Sequence, residues 1–528
     1  MTARPLIEID NLRVARPGAA LPVLDRFSLL LNAGETVVLL GDTQSGKDVL
    51  LRLLDGSMER GDEISGTIRF GDGEAKQVSH RPRPMFRVSF LPAAASRPLN
   101  PRVSTVSQLT RVIARKLECP RGAALAEFRG ALARLSGAPT LELLDCPPSR
   151  LDDVSLSWAL LAAACAATPE LLICDHPFLD ISPVSARALT EALLAEQKRL
   201  NFAIVYAARS PQPVMRLGAR TLVLRHGRVV EENDAAHLMS GQTHTYTQLL
   251  FKALPQPLTD RPARSSARGE PLLQVQGLGI HTPLKKAVRA KDAISFELRR
   301  GASLALVGED GSGQRALTRA VLGLDRKPGR IVFDAVDLNL LSEAMTARLR
   351  RRVAFVTWAD ESLDTRMTIW DTVDEPLRAH LRLSRELAAG YRDAALKRVG
   401  LASHDGRRPV ASLSPFDRRR LMVARAMVSA PLLVVVDEPL RGLDAIAQTT
   451  MRDLLMDLRA EQQSAFLVIT SDFAVAQALA DDAMVFKDGR VVERGPVRTL
   501  LLNPKESATK DLIEAAAIRP LSHGTGAV

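Results

Sequence analysis

The stretch Gly41-Asp42-Thr43-Gln44-Ser45-Gly46-Lys47-Asp48 carries the residue types needed to hold a phosphate group. It follows the apolar run Thr36–Leu40 and precedes Val49-Leu-Leu-Arg-Leu-Leu54, which predicts a buried strand, a glycine-rich turn and a helix. In such a turn backbone N–H groups point inward at an anion, the helix N-terminus adds its dipole, and Lys47 supplies a point charge. The last position departs from the pattern. A Mg²⁺-binding loop needs a Ser or Thr hydroxyl there, and this chain has Asp48, which either pairs with Lys47 or holds the metal itself. A second loop, Gly308-Glu-Asp-Gly311-Ser312-Gly313-Gln314-Arg315, follows Leu304-Ala-Leu-Val307 and has lost both the lysine and the hydroxyl. Arg315 either restores part of the missing charge or fills the phosphate position.

The elements that position these loops come in two copies. Asp175 follows Leu171-Leu-Ile-Cys174 as Asp437 follows Leu432-Leu-Val-Val-Val436, and Gly227-Arg-Val-Val-Glu231 recurs as Gly489-Arg-Val-Val-Glu493. The offset is long and drifts by a few residues, which marks two homologous domains and not a solenoid. Alternating segments such as Leu6–Val14 and Leu272–Gln276 predict an antiparallel sheet in each half. A mixed helical region is expected over 94–155 and again over 359–415. Beyond it strands alternate with helices near Ala186–Arg199 and Gln448–Gln462, which predicts a largely parallel, helix-covered sheet. The fold class is therefore α/β, with domains over 1–252 and 272–528. They are joined by a tether, 253–271, rich in Pro, Ser and Arg.

Composition sets outer limits. With 528 residues the chain exceeds a single core, and 46% apolar with 25% charged residues is ordinary for a globular protein. A net charge of +11 is either a solvated basic surface or the mark of an anionic neighbour: nucleotide, nucleic acid or the inner face of a membrane. The four cysteines lack Cys-x-x-Cys spacing and read as reduced thiols. The N-terminus lacks the apolar core of a signal peptide, and no apolar run reaches the ~20 residues of a spanning helix. The longest, Trp158–Ala167, reads as a buried helix, and the run Arg418-Arg-Arg420 as the opening of a solvated one.

With Asp437-Glu438-Pro439 following its apolar strand, the layout resembles ABC-type ATPases over almost the whole chain. It is most similar to the peptide/nickel importer subgroup, here as two fused subunits. Pro98-Leu-Asn-Pro101 and Ser362-Leu-Asp-Thr-Arg-Met367 resemble that subgroup's Ser-Leu-Asn-Pro stretch. His244–Leu250 and Asn503–Lys510 resemble its Asn-Pro-x-His-Pro-Tyr-Thr tail. The resemblance implies two P-loop NTPase domains in tandem, each with an antiparallel β subdomain and a helical subdomain. It also implies head-to-tail pairing, in which each nucleotide lies between one domain's loop and the other's Leu-Ser-Gly-Gly-Gln signature.

On that pattern ATP and Mg²⁺ are the expected cofactors. Gly41 to Asp48 face Ser414 of Leu413-Ser-Pro-Phe-Asp417, and Asp175 serves as a metal residue. The catalytic glutamate is replaced by His176, either a base in disguise or a structural residue. The γ-phosphate glutamine is replaced by Ala93, and the switch histidine by Arg209 or a shifted loop. Pro415 and Phe416 stand where glycines let the backbone approach phosphate. In the other site Asp437 is a metal residue and Glu438 the candidate catalytic base. Gly308, Gly311, Ser312, Gly313, Gln314 and Arg315 form its loop, Thr357 and Ser471 replace the glutamine and histidine, and Asp152-Asp153 face it. The implied role is the ATP-binding subunit of a peptide/nickel-type importer with impaired hydrolysis. Such a subunit works on inner-membrane permeases and, through them, with a solute-binding protein. It is cytoplasmic and peripheral on the inner face of the membrane. The alternative is a pseudo-ATPase scaffold; no nucleic acid partner is expected, since the chain has only a short tether.

Overall fold

In the computed structural model of the chain, Thr36–Leu40 is a strand buried on both faces. Val37 and Leu39 join one core with Ile7, Phe27 and Leu50. Val38 and Leu40 join another with Phe128, Trp158 and Leu172. Burial on both sides is why the run is continuously apolar and not alternating. Ser303–Val307 repeats this division, with Leu304 and Leu306 on one side and Ala305 and Val307 on the other.

The structure describes residues 5–18, 21–58, 61–71, 76–77, 86–93, 95, 98–240, 243–254, 269–280, 293–325, 328–342, 344–345, 349, 351–357, 363–381, 383–402, 405–462 and 464–516. They form two compact units, one from Met1–Ile181, Ser185–Leu254 and Asp444–Ile446, the other from Ser182–Val184, Pro255–Leu443 and Ala447–Val528. Most of the expected tether, 255–268, lies outside the described residues, as does Ser362.

Within the first unit a six-stranded sheet runs in the order Arg228–Asn233, Arg220–Arg225, Thr36–Leu40, Ala203–Ala208, Leu171–Asp175, Val88–Leu91. All neighbours are parallel except the first pair. A separate antiparallel sheet is centred on Pro5–Ala15, flanked by Leu24–Asn32 and Glu63–Phe70. The second unit repeats both sheets strand for strand. Ser303–Val307 lies between Ala465–Thr470 and Asp482–Lys487 in one, and Pro271–Leu278 is central in the other. The helical regions contain Thr105–Lys116, Arg121–Arg134 and Asp153–Ala166 in the first unit. Their counterparts in the second are Ile369–His380, Arg385–Arg398 and Pro415–Met427. Each half is thus a P-loop α/β domain with an antiparallel β subdomain and a helical subdomain. Among the described residues no helix is long and apolar enough to cross a membrane.

One feature differs from the sequence expectation. The run Arg418–Arg420 is not a solvated face. Arg419 is buried and donates to the Arg441 carbonyl at 2.7 Å. Arg420 donates to the carbonyls of Val399 and Gly400 and to Asp417, with its guanidinium 5.3 Å from the Phe416 ring centre. These arginines satisfy carbonyls that end neighbouring segments, a use that composition alone does not reveal. The repeated Gly-Arg-Val-Val-Glu also has a structural role. Glu231 accepts from the backbone N–H of His244 and the hydroxyl of Thr247, and Glu493 accepts from Lys505 and Thr509. Each glutamate docks the tail helix of its own half.

Candidate functional site

Each phosphate loop starts where a strand end is pressed against a neighbour. A Cβ on Gly41 would stand 2.5 Å from the Leu224 carbonyl oxygen, and one on Gly308 2.6 Å from that of Phe486. Only glycine fits there. Helices Lys47–Asp55 and Gln314–Val321 leave the loops from Gly46 and Gly313, both left-handed, at φ 93 and 115. The tail helix supports the first loop, since the buried Tyr246 hydroxyl accepts the Asp42 backbone N–H at 3.1 Å. That link joins positions 204 apart in the chain, too distant for any local pattern to announce.

Lys47 is fully buried, and its ammonium donates to the carbonyls of Gly41 and Asp42 and to the Ser45 hydroxyl. Burial lowers its pKa to about 8, with the Asp48 carboxylate pulling the other way. No direct ion pair joins Lys47 to Asp48. One oxygen of Asp48, Oδ1, is buried without a hydrogen bond, and so is Oδ1 of Asp175. Burial and the like charge of Asp48 raise the Asp175 pKa. His176 is 3% exposed, and neither ring nitrogen has a hydrogen-bond partner. Its Nε2 stands 3.4 Å from Asp175 Oδ1. Burial, then Arg209 and Lys47, hold its pKa well below the ordinary value, with the Ala207 carbonyl opposing weakly. The imidazole is therefore neutral at pH 7 and a poor base.

The second loop is arranged differently. Gln314 occupies the lysine position, buried, accepting from Ser312. Arg315 donates from Nε to Asp437 at 3.2 Å and lies 3.6 Å from Asp310. Arg441, which the sequence motifs do not mark, binds Asp310 at 3.1 Å and Glu438 at 2.7 Å and also donates to Ser471. Glu438 Oε1 additionally accepts the N–H and hydroxyl of Ser471, each at 2.7 Å, and Oε2 accepts from Thr470. Burial raises the Glu438 pKa while Arg441 and Ser471 act against it. A carboxylate with this many donors is held as an acceptor and has little capacity left to polarise a water. Only a search for cations near strand-end acids would have singled out Arg441 from the sequence.

Both signature positions cap helices. Asp152 accepts the Ser155 N–H at 2.6 Å, and Ser414 accepts the Asp417 N–H at 3.1 Å. The Asp152 carboxylate is thus turned onto its own helix. Pro415 sits in that helix's first turn, where its missing N–H costs nothing, and Phe416 packs against the core. Strand register also adjusts one alignment. Thr357 lies level with Asp437, whereas Leu91 lies level with Cys174. The counterpart of Ala93 is therefore Trp358, outside the described residues, and Thr357 matches Pro92.

The two sites differ as metal sites. Asp48 and Asp175 offer two orphaned oxygens beside an imidazole nitrogen, a donor set that fits a divalent cation. Asp437 also has a buried oxygen, Oδ1, without a hydrogen bond, but the Arg315 guanidinium stands 3.2 Å from its Oδ2, a positive charge that opposes a second cation there.

The family pattern described as ABC transporter matches residues 291–441. The chain is 31% identical over 531 residues to the uncharacterized ABC transporter ATP-binding protein YejF of Escherichia coli K12, covering 96% of this chain and 99% of that protein. It is 27% identical over 566 residues to the glutathione import ATP-binding protein GsiA of Escherichia coli O6:H1, covering 98% and 90%. The Salmonella choleraesuis GsiA is 28% identical over 567 residues, with the same coverage.

The Arg441–Glu438 pair has a measurable consequence. Arg441→Met leaves Glu438 buried without its cation and is expected to destabilise by about 3–5 kcal/mol. Adding Glu438→Gln recovers part of that loss. Calorimetric unfolding of the full chain checks it; strictly additive effects of the two changes would contradict a coupled pair.

Proposed function

The chain belongs to the ABC transporter ATP-binding proteins, and from that premise we propose that it is the nucleotide-binding subunit of a peptide-type importer. On this reading its first phosphate loop takes ATP and its second is closed by its own arginines. The observation that carries it is the contrast in cations. Lys47 is held only by neutral oxygens and can turn to a phosphate, whereas Arg315 and Arg441 are already committed to Asp437, Asp310 and Glu438.

The two domains are 1–252 and 272–528, joined by 253–271, and they pair head to tail as the family does. Gly41 to Asp48 cradle the phosphates, Ser414 approaches them from the other domain, and Asp175 with Asp48 holds Mg²⁺. When bound, that ion neutralises charge on the phosphate oxygens. Gly308, Gly311, Ser312, Gly313, Gln314 and Arg315 keep the shape of the second loop without its charge. Glu438 is the only glutamate at the catalytic position, and its four donors argue for hydrolysis near background. The protein sits on the inner face of the membrane through permease subunits contacted near 93–101 and 357–367, segments whose residues 94, 96–97 and 358–362 lie outside the described ones. The names of its GsiA relatives support a glutathione- or peptide-like solute, selected by the permease and a solute-binding protein. The saturation of Glu438 also favours a second reading, a pseudo-ATPase subunit that binds nucleotide for assembly and not for turnover.

Titration calorimetry with a non-hydrolysable ATP analogue and Mg²⁺ is expected to give one site per chain. Lys47→Ala removes a charge-assisted bond and weakens it roughly 10–100-fold. A bound phosphate raises the Lys47 pKa above its free value of about 8. Affinity is therefore full below pH 8, declines as pH rises through the bound-state value, and loses this dependence in Lys47→Ala. Two equivalent sites, or no effect of Lys47→Ala, would refute the assignment.

A further inference from the structure

We propose that Asp48, Asp175 and His176 form a binding site for a first-row transition-metal dication that fills without nucleotide and prefers such an ion to Mg²⁺. Three observations meet here. One ligand atom from each residue lies within 4.8 Å of the others. The two carboxylate oxygens, Asp48 Oδ1 and Asp175 Oδ1, are buried with no hydrogen-bond donor. The imidazole is 3% exposed with both nitrogens unpartnered. A buried polar group without a partner is costly, and three such residues with ligand atoms within 4.8 Å of one another share a single remedy.

The chemistry selects the ion. Mg²⁺ favours an all-oxygen octahedron and keeps its waters, whereas an imidazole with two carboxylates suits Mn²⁺, Co²⁺ or Zn²⁺. Metal–ligand bonds of about 2.1 Å place adjacent ligands roughly 3–3.4 Å apart, and His176 Nε2 stands 3.4 Å from Asp175 Oδ1. The backbone supports the placement. His176 has φ 45 and Glu438, its counterpart, has φ 48, so both turns present their side chains from the same left-handed residue. In the second half Glu438 meets Arg441; the residue matching Arg441 in the first is Leu179, which brings no charge. Three cations face the site. Lys47 is satisfied by Gly41, Asp42 and Ser45, Arg209 lies close enough to act on Asp175 and His176, and Arg52 acts on Asp175. Their charge limits the affinity and makes phosphate and metal binding mutually favourable.

The test uses the full chain, free of metal and nucleotide, titrated with Co²⁺ and separately with Mg²⁺. One Co²⁺ per chain is expected, bound at least tenfold more tightly than Mg²⁺, with cobalt absorption lacking thiolate charge-transfer bands. His176→Gln should weaken Co²⁺ at least tenfold and leave the weak Mg²⁺ binding nearly unchanged. Asp48→Ser, a milder change on a part-exposed residue, should also weaken Co²⁺ and serves if His176→Gln does not fold. Absence of saturable Co²⁺ binding, equal affinity for Mg²⁺, thiolate bands, or Co²⁺ affinity unchanged in the folded variants would overturn the site. Because nucleotide is absent, failure here leaves the Lys47 reading intact, and failure of that reading leaves this site intact.

Discussion

A carboxylate at the end of a buried strand must be matched by positive charge, and that constraint governs both halves of this chain. Asp175 and Asp437 end equivalent central strands, and burial raises the pKa of each. In the second half the match is internal: Arg315 covers Asp437, and Arg441 covers Glu438 while reaching Asp310. In the first half it is left open. Lys47 is tied to carbonyls, and the orphaned oxygens of Asp48 and Asp175 face a neutral imidazole. An open charge balance is a place for ligands; a closed one holds the fold.

The duplication makes this comparison direct. The sheets have the same strand order, the loop glycines meet the same kind of carbonyl, and His176 and Glu438 share a left-handed backbone. Backbone geometry has been kept while the charges have been redistributed. Exchanges at a few positions, Asp48 against Arg315, His176 against Glu438 and Leu179 against Arg441, convert a ligand site into an ion-pair network without moving the scaffold, because packing and charge act on different atoms.

Much of the fold was legible because its signals are local. Two-sided burial writes continuous apolar runs such as Val37–Leu40 and Leu433–Val436, and glycine turns follow them at fixed places. Lys47, Gln314 and Arg315 were likewise readable as departures from a short pattern. What escaped depends on contacts between distant positions. Tyr246 reaches Asp42, Glu231 and Glu493 anchor tails, and the Arg418–Arg420 run closes carbonyls around it. Arg441 lies just beyond the Asp437-Glu438-Pro439 run and carries no motif of its own, and the capping bond of Asp152 to Ser155 is likewise written in no local pattern. Each partner lies off the local period, where charge type alone does not tell a solvated residue from a buried one.

The unequal openness of the two loops is the central claim, and hydrogen exchange measured by mass spectrometry tests it most directly. With saturating ATP and Mg²⁺, peptides covering Gly41–Asp48 should gain protection, since their N–H groups become donors to phosphate, while those covering Gly308–Arg315 should exchange as before. Equal protection of both loops, or protection of the second alone, would contradict the account.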